Sequence, residues 1–326
     1  MDLKSYEPRL VPEPNGFRNP GSSCYFNVVL QSIISCPAFS QVLLKNRDTD
    51  EYKANQVVKY LLIMYDLLFK VDPDVAPQER ANLLNEIATY IWKAVFDKAM
   101  LREDSVKFTK GQECAREGFH LLLESLDGLK EIENLFLHRY QTLIFCPDCD
   151  EWVVDAKCEY TVFEVQPSLT SPQLPMFASI DPNYRKRQPM DQFLKKQNSY
   201  VDRDFKCPKC KKPGPMFQTT RLIMIPEILV VMSKKYVGLK KSHDVTEFPE
   251  VMVFDGKDSD ADAPEIIPMI YQAVSRIEHM GGMYGGHYNC HSMRAGRKWF
   301  RLDDSQVSDG GFESTPNTYM VFYHIQ

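Results

Sequence analysis

The chain has 326 residues, of which 44% are hydrophobic and 25% are charged, a composition typical of globular proteins. Its formal net charge of −5 argues against a nucleic-acid partner, because such proteins are usually basic. The first residues lack the apolar core of a signal peptide, and no run approaches the roughly 20 apolar residues that span a bilayer. We therefore expect a monomer without a membrane partner. Nine cysteines without a secretory signal indicate a reducing compartment, the cytoplasm or the nucleus.

The order of the predicted elements is helices first and strands afterwards. Apolar residues recur at helical spacing in four segments, 26–34, 57–69, 83–95 and 119–126. From about residue 139 the pattern changes to short β-rich runs, at 140–145, 152–155, 160–165, 219–225, 228–232, 269–277, 288–293 and 319–325. Segments 168–189 and 255–264 are rich in turn-forming residues and are expected to be surface loops. This order predicts an α+β fold rather than alternating βαβ units.

Cys24 is the candidate nucleophile because it lies where a polar, glycine-containing loop meets the first predicted helix. The positive end of the helix dipole and the free N–H groups of the first turn both favour a thiolate. The loop also brings Asn19, whose side-chain amide and neighbouring backbone amides can meet a developing oxyanion. Position alone does not separate this reading from a buried structural cysteine.

The far end of the chain supplies the groups that cysteine catalysis needs. Gly285, Gly286 and His287 precede one predicted strand, and Asp303 ends the next, so a β-hairpin brings the imidazole and the carboxylate together. Asp304 is the alternative to Asp303, because side chains alternate in an extended strand and only one of the two can face His287. The two glycines are expected to give a mobile loop beside a substrate channel.

Four cysteines form two C-P-x-C knuckles, the pairs Cys146 with Cys149 and Cys207 with Cys210. Four thiolates in paired knuckles suit tetrahedral Zn²⁺ with sulfur ligands at about 2.3 Å. A closed set of four ligands leaves no open position for catalysis, so we expect one structural zinc ion and no catalytic cofactor.

Together these motifs resemble the ubiquitin-specific protease (USP) family. The segment from Asn19 to Gln31 is similar to its cysteine box, usually N-x-G-N-T-C-Y-M-N-x-x-L-Q. The segments 281–288 and 299–307 are similar to its histidine box, with G-H-Y followed by W-Y-x-x-D-D-x-x-V. The two knuckles match its zinc-binding fingers. The matches lie in family order from residue 16 to 325.

The resemblance implies a papain-like right-hand architecture in one catalytic domain spanning 1–326, with a helical thumb over 1–138, β fingers with the zinc site over 139–225, and a β palm over 226–326. It implies a cysteine-type deubiquitinase that hydrolyses the isopeptide bond after the C-terminal glycine of ubiquitin or a ubiquitin-like modifier. Cys24 would be the nucleophile, His287 the base and Asp303 its orienting residue. Asn19 would stabilise the oxyanion, assisted by Asp304.

One segment departs from the family pattern. The family's Q-x-D-A-x-E-F, which helps to bind the modifier's tail, reads here as 112–119, with Cys114 at the acidic position and Gly118 as an apparent insertion. A carboxylate expected to meet an arginine of the tail is therefore missing, unless Glu113 or Glu117 replaces it. The full set expected to bind substrate is Gln112, Glu113, Glu117, Gly285, Gly286 and Tyr288.

Two other functions remain open at the level of sequence. One is an inactive relative that binds ubiquitin as a scaffold, although every chemical group needed for catalysis is present. The other is a papain-like protease or acyltransferase that acts on a different substrate. A strict requirement for Gly-Gly at the cleaved end would separate the isopeptidase from this second alternative.

Overall fold

The computed structural model describes residues 10–70, 74–100, 113–165, 200–202, 206–214, 216–224, 226–237, 240–243, 245–257, 266–282 and 285–326. Its helical part comes first and contains α1 (Cys24–Ile34), α2 (Pro37–Asn46), α3 (Asp50–Ala54), α4 (Gln56–Phe69), α5 (Pro77–Met100), α6 (Ala115–Ser125) and α7 (Lys130–Phe136). All eleven residues of α1 are buried, so this helix lies inside the protein with other elements on every side.

Local capping explains where several helices begin. Asn55 caps α4, since its Oδ1 accepts from Val57 N at 2.9 Å and from Val58 N at 3.2 Å. Its Nδ2 donates to Ser125 O at 2.9 Å, which ties the start of α4 to the end of α6. Proline at the first position of α2 starts that helix directly after α1.

Most strands belong to one eight-stranded sheet, which we call the palm sheet. Its strand order is β13-β12-β11-β10-β14-β6-β3, and β9 also pairs with β10. The strands are β3 (Phe163–Val165), β6 (Ile228–Ser233), β9 (Val251–Lys257), β10 (Ile266–Gly282), β11 (Gly285–Arg294), β12 (Lys298–Asp303), β13 (Gln306–Asp309) and β14 (Thr318–Ile325). All of its pairs are antiparallel except β3 with β6.

The palm sheet buries both faces, as the alternation of its side chains shows. Met320 and Phe322 of β14 join the core formed by the helices, whereas Val321 and Tyr323 join a second cluster on the opposite face. Helix α1 packs against β11, β10 and β12 on the helix side. This arrangement places α1, which begins at Cys24, against the strand that carries the predicted histidine.

A smaller four-stranded sheet has the order β2-β1-β5-β4 and contains β1 (His138–Cys146), β2 (Glu151–Tyr160), β4 (Tyr200–Asp202) and β5 (Met216–Met224). We call it the finger sheet. Both cysteine knuckles lie at its end, one between β1 and β2 and the other just before β5. A two-stranded ribbon, β7 (Tyr236–Val237) with β8 (Lys240–Lys241), completes the described strands.

The expected α+β fold is confirmed, and the four predicted helices correspond to α1, α4, α5 and α6. Two details differ, and a third expectation is not tested. The run predicted as one strand over 160–165 is interrupted, because β2 ends at Tyr160 and β3 begins at Phe163 and joins the palm sheet. Residues 255–257, expected in a loop, extend β9 because they pair with β10. The loop predicted over 168–189 lies outside the described residues.

Within the described ranges, no single helix is long and apolar enough to cross a membrane. The bent pair formed by α1 and α2, which meet at 79°, passes that test together by length and composition only.

Candidate active site

Cys24 is the first residue of α1 and follows the loop that the sequence associates with an oxyanion site. Ser23 O accepts from Phe26 N at 3.0 Å and from Asn27 N at 2.9 Å, but the Ser23 side chain makes no capping hydrogen bond. Because α1 begins at Cys24, the positive end of the helix dipole lies at the residue that carries the thiol, a position that favours a thiolate. Cys24 is only 3% exposed, so protein atoms rather than solvent surround its side chain.

The hairpin of β11 and β12 brings His287 to Asp303. Nε2 of His287 lies 2.5 Å from Oδ1 of Asp303. The register places Cys290 opposite Leu302, so the histidine and the carboxylate are diagonal neighbours near the end of the hairpin. Oδ2 of Asp303 accepts a hydrogen bond from Arg301 at 2.5 Å. Because Nε2 is bound to Asp303, Nδ1 is the ring nitrogen left to take a proton from a thiol.

Asp304 hydrogen-bonds the loop before α1 and α1 itself, and one of its carboxylate oxygens also lies within 4.8 Å of a ring nitrogen of His287. Its Oδ2 accepts from Asn19 Nδ2 at 3.0 Å and its Oδ1 accepts from Asn27 Nδ2 at 2.8 Å. Its backbone oxygen accepts from Phe17 N at 2.8 Å. A positive φ of 51° turns the chain here, which separates the directions of the two consecutive carboxylates. Asp304 therefore holds the loop that ends at Cys24.

The amide of Asn19 has a fixed orientation. Its Oδ1 accepts from the backbone N–H of Gly21 at 3.0 Å and of Ser23 at 3.1 Å, which requires oxygen at that position. Its Nδ2 meets the carboxylate of Asp304, which requires a donor. One hydrogen of Nδ2 bonds Asp304, and the second hydrogen is not used by that bond.

A neutral aromatic cluster lies beside this site. The rings of His279 and Tyr288 stack with centroids 4.4 Å apart. Nδ1 of His279 lies 3.1 Å from the Tyr236 hydroxyl and 3.4 Å from Nζ of Lys241, so it acts as the acceptor and Nε2 carries the proton. Burial, followed by the charges of Lys241 and His287, lowers the pKa of His279 to about 4. Burial also raises the pKa of Tyr288, so the cluster is uncharged near neutral pH.

There is no room for a side chain at Gly286. A Cβ at this position would lie 2.3 Å from both His279 Nε2 and Met280 O. Gly285 and Gly286 are both part of β11, where they pair with Gly282 and Gly281. Because both glycines lie in a paired strand, they do not form the loop that the sequence suggested. The close approach of His279, rather than an unusual backbone conformation, explains why position 286 is a glycine.

Cys114 serves the start of α6. Its Sγ accepts from Glu117 N at 3.4 Å, and Glu117 Oε2 accepts from Cys114 N at 3.1 Å, which forms a capping box. Burial, followed by the charge of Glu117, raises the pKa of Cys114 to about 11. Burial and Glu117 also raise the pKa of Glu113. The position therefore carries no negative charge of its own, although two carboxyl groups lie beside it. Gln112 lies outside the described residues.

The four knuckle cysteines come together at the end of the finger sheet. The Sγ atoms of Cys146 and Cys210 are 3.8 Å apart, and those of Cys149 and Cys207 are 3.9 Å apart. All four sulfur atoms lie within 4.8 Å of one another. A tetrahedral zinc ion with four ligands at about 2.3 Å places its sulfur atoms about 3.8 Å apart, so the donor set fits this ion.

A family model described as ubiquitin carboxyl-terminal hydrolase matches residues 15–323. The chain belongs to the ubiquitin carboxyl-terminal hydrolase family. The resemblance to ubiquitin-specific proteases is thereby confirmed. Among curated relatives, ubiquitin carboxyl-terminal hydrolase 4 of Vanderwaltozyma polyspora is 22% identical over 371 residues, covering 95% of this chain and 41% of that protein. Ubiquitin carboxyl-terminal hydrolase 8 of Saccharomyces cerevisiae is 22% identical over 348 residues, covering 96% and 70%.

Solved structures of this family share the fold of the chain. The SAGA deubiquitinating module with Ubp8, Sgf11, Sus1 and Sgf73 bound to monoubiquitin matches with a TM-score of 0.70 and 16% identity, covering 100% of this chain and 72% of that chain. The module bound to ubiquitin aldehyde matches with a TM-score of 0.69, also at 16% identity, covering 100% and 73%. The chain spans about two fifths of the length of the curated relatives it matches first.

Two residues of this site were not singled out from the sequence. Asn27 lies three residues after Cys24, one helical turn along α1, and its signals were a polar residue at that spacing and the matching asparagine of the cysteine box. Arg301 lies two residues before Asp303, on the same side of β12, and alternation along the strand would have indicated it.

Proposed function

We propose that this chain is a cysteine-type deubiquitinase that hydrolyses the isopeptide bond after the C-terminal glycine of ubiquitin or a ubiquitin-like modifier. The observation that carries the proposal is the bond between His287 and Asp303, on a hairpin that packs against the helix beginning at Cys24. Membership of the ubiquitin carboxyl-terminal hydrolase family supports the substrate class.

In the proposed reaction, Nδ1 of His287 takes the proton of the Cys24 thiol, and the thiolate attacks the carbonyl carbon of the modifier's last glycine. The imidazolium then gives its proton to the departing lysine amine, which leaves a thioester on Cys24. A water molecule, deprotonated by His287, attacks the thioester and releases the carboxylate of the modifier and the free thiol. Asp303 holds the imidazole ring and stabilises its charged form.

We assign the oxyanion to the second Nδ2 hydrogen of Asn19. Asp304 and the backbone N–H groups of the loop fix the amide before substrate arrives, so little reorganisation is needed as charge develops on the oxygen. In the proposed roles, Asp303 acts on the base and Asp304 acts on the oxyanion donor.

The proposed channel for the modifier's tail is lined by Gly285, Gly286 and Tyr288. A glycine at position 286 lets His279 pack closely, and a channel of this kind accepts glycine where a larger side chain is excluded. Glu113 and Glu117, with Gln112, are proposed to meet the polar part of the tail. Since Cys114 is neutral, any attraction for a basic tail comes from the two glutamates.

A structural zinc ion is proposed for Cys146, Cys149, Cys207 and Cys210. The spacing of the four sulfur atoms supports it. The ion would hold the end of the finger sheet together and would take no part in the reaction. The division into thumb, fingers and palm at 138 and 225, a monomeric state, and a cytoplasmic or nuclear location stay predictions.

The proposal is tested by reacting the purified chain with ubiquitin that carries a C-terminal electrophile. A covalent adduct that is lost in Cys24→Ala is the expected result. Ubiquitin that binds without forming an adduct would overturn the catalytic assignment and favour a scaffold. Adducts formed only with other modifiers would overturn ubiquitin as the substrate while leaving the chemistry in place.

A further inference from the structure

Arg294 is buried at the junction between α1 and the palm sheet. It is 1% exposed and lies at the end of β11, on the strand that begins beside His287. Burial lowers its pKa to about 10. Among the residues that the structure describes, it forms no ion pair with a carboxylate, and its Nε has no hydrogen-bond partner. A buried guanidinium without a counter-ion is unfavourable for stability, so a contribution to stability does not explain why an arginine lies here.

Apart from one bond within β11, the hydrogen bonds of Arg294 lead to α1 and the residue that follows it, and through Gln31 to the loop before α1. NH1 donates to Ser35 Oγ at 2.5 Å and to Met293 O at 3.0 Å, and NH2 donates to Gln31 Oε1 at 2.5 Å. Gln31 in turn donates from Nε2 to Asn15 O at 2.5 Å. One side chain therefore joins the end of β11, the last turn of α1 and the loop that leads to Cys24.

A row of buried hydroxyl groups continues the same seam towards the middle of α1. Ser32 Oγ lies 2.8 Å from Ser275 Oγ of β10, which lies 2.8 Å from Ser292 Oγ of β11. Apolar helix–sheet interfaces tolerate small shifts of a helix along its axis. Directional hydrogen bonds between buried groups do not, because a shift leaves donors or acceptors unsatisfied. The seam consequently fixes where α1 lies along β11.

We propose that Arg294 is a positioning residue, which fixes α1 and its preceding loop on β11 so that Cys24 meets His287. Arg294 touches neither substrate nor the reacting atoms, and it acts through Gln31 and Ser35. The inference rests on the proposed roles of Cys24 and His287. It does not depend on the identity of the modifier.

The test compares Arg294→Met with Arg276→Met. Arg276 is the matched control, because it is 2% exposed in β10 of the same sheet but contacts Glu278 and not α1. Alkylation of Cys24 by iodoacetamide is followed by mass spectrometry of the Cys24 peptide between pH 5 and 8, with turnover of a fluorogenic ubiquitin substrate in parallel. Misplacement of reacting groups by about 1 Å lowers rates by up to about 100-fold. We expect Arg294→Met to lower kcat and the alkylation rate at least about tenfold with little change in KM.

Arg276→Met should stay within about threefold of the wild type in both assays, because Arg276 pairs with Glu278 and its loss leaves the hydrogen bonds from Arg294 to Ser35 and Gln31 in place. Wild-type alkylation in Arg294→Met, or an equal loss in Arg276→Met, would overturn the proposal. The alkylation assay uses no ubiquitin, so a failure of the ubiquitin assignment alone leaves this result readable.

Gln31→Met provides a second variant if Arg294→Met does not fold. It removes the acceptor for NH2 and the donor to Asn15, and we expect the same loss in kcat and alkylation, smaller in size. In the folded double variant the two effects should be less than additive, because both substitutions break one network. Strict additivity, or Gln31→Met with wild-type alkylation, would contradict the proposed link.

Discussion

Asn19 Nδ2 donates to Asp304 Oδ2 across 3.0 Å, although 285 residues separate the two along the chain. The other oxygen of Asp304 binds Asn27, one helical turn after Cys24. The carboxylate thus joins the oxyanion loop and the nucleophile's helix to the palm sheet. The neighbouring carboxylate, Asp303, binds His287 instead. Because the two aspartates bind different partners, replacing each of them should affect the reaction differently.

Asp304→Ala should lower kcat on a fluorogenic ubiquitin substrate by about 100-fold, because Asn19 loses the acceptor that directs its amide. The rate at which iodoacetamide alkylates Cys24 should fall much less than kcat, since this reaction forms no oxyanion and the contacts of Arg294 still hold α1 on the palm sheet. Asn19→Ala should reproduce both results. Loss of Cys24 alkylation in Asp304→Ala would show that this carboxylate supports the nucleophile rather than the oxyanion.

Asp303→Ala should lower both kcat and the alkylation rate of Cys24, each by about 100-fold. Without the carboxylate, His287 loses its orienting partner, while the cation of Arg301 stays nearby and opposes the imidazolium. The measurement is the same pair of assays between pH 5 and 8. Equal behaviour of Asp303→Ala and Asp304→Ala would contradict the division of roles.

Cys114→Asp should lower KM for the ubiquitin substrate by about threefold to tenfold, because it restores a carboxylate for a basic tail. Cys114→Ser is the matched control, since serine and aspartate both cap helices but only aspartate adds charge. We expect Cys114→Ser to leave KM near the wild-type value. If both variants behave alike, charge at this position does not govern affinity for the tail.

Metal analysis of the purified chain should give about one equivalent of zinc. The apolar cluster at the knuckles contains few groups besides the four cysteines, chiefly Ile144 and Val153, so packing alone gives the end of the finger sheet little stability. Chelation should therefore increase hydrogen exchange in β1 and β2 while α1 and β11 keep their protection. A metal-free chain with unchanged exchange would contradict the zinc site.

Acid should destabilise the fold between about pH 6.5 and 4. Burial lowers the pKa of His138, His279 and His291 to about 4, from the usual 6.5 of a histidine in water. In that range the unfolded chain takes up protons that the native chain does not, so the free energy of unfolding falls as pH falls, by about 1.4 kcal/mol per pKa unit for each group at most.

Chemical denaturation at pH 7.5 and at pH 5 measures this effect. His138→Phe should reduce the dependence, because His138 packs against the rings of Tyr160 and Phe163 and an apolar ring fits there without titrating. Equal free energies of unfolding at the two pH values would show that these histidines do not contribute.

The sequence by itself determined the parts of this protein that depend on local pattern. Apolar spacing predicted α1, α4, α5 and α6, and the paired C-P-x-C motifs predicted the cluster at the end of the finger sheet. The helices α2, α3 and α7 were missed, since each has at most ten residues and too few turns for a clear periodic signal.

The tertiary structure decided which long-range partner each polar side chain meets. Alternation along a strand limits His287 to one of two consecutive aspartates, but hairpin register and the turn at Asp304 select Asp303. The links from Asn19 to Asp304 and from Arg294 to Gln31 join segments more than 260 residues apart. These pairs form because of the way α1 packs on the palm sheet. The packing of whole helices and strands sets that arrangement, so the spacing of residues within one segment does not predict it.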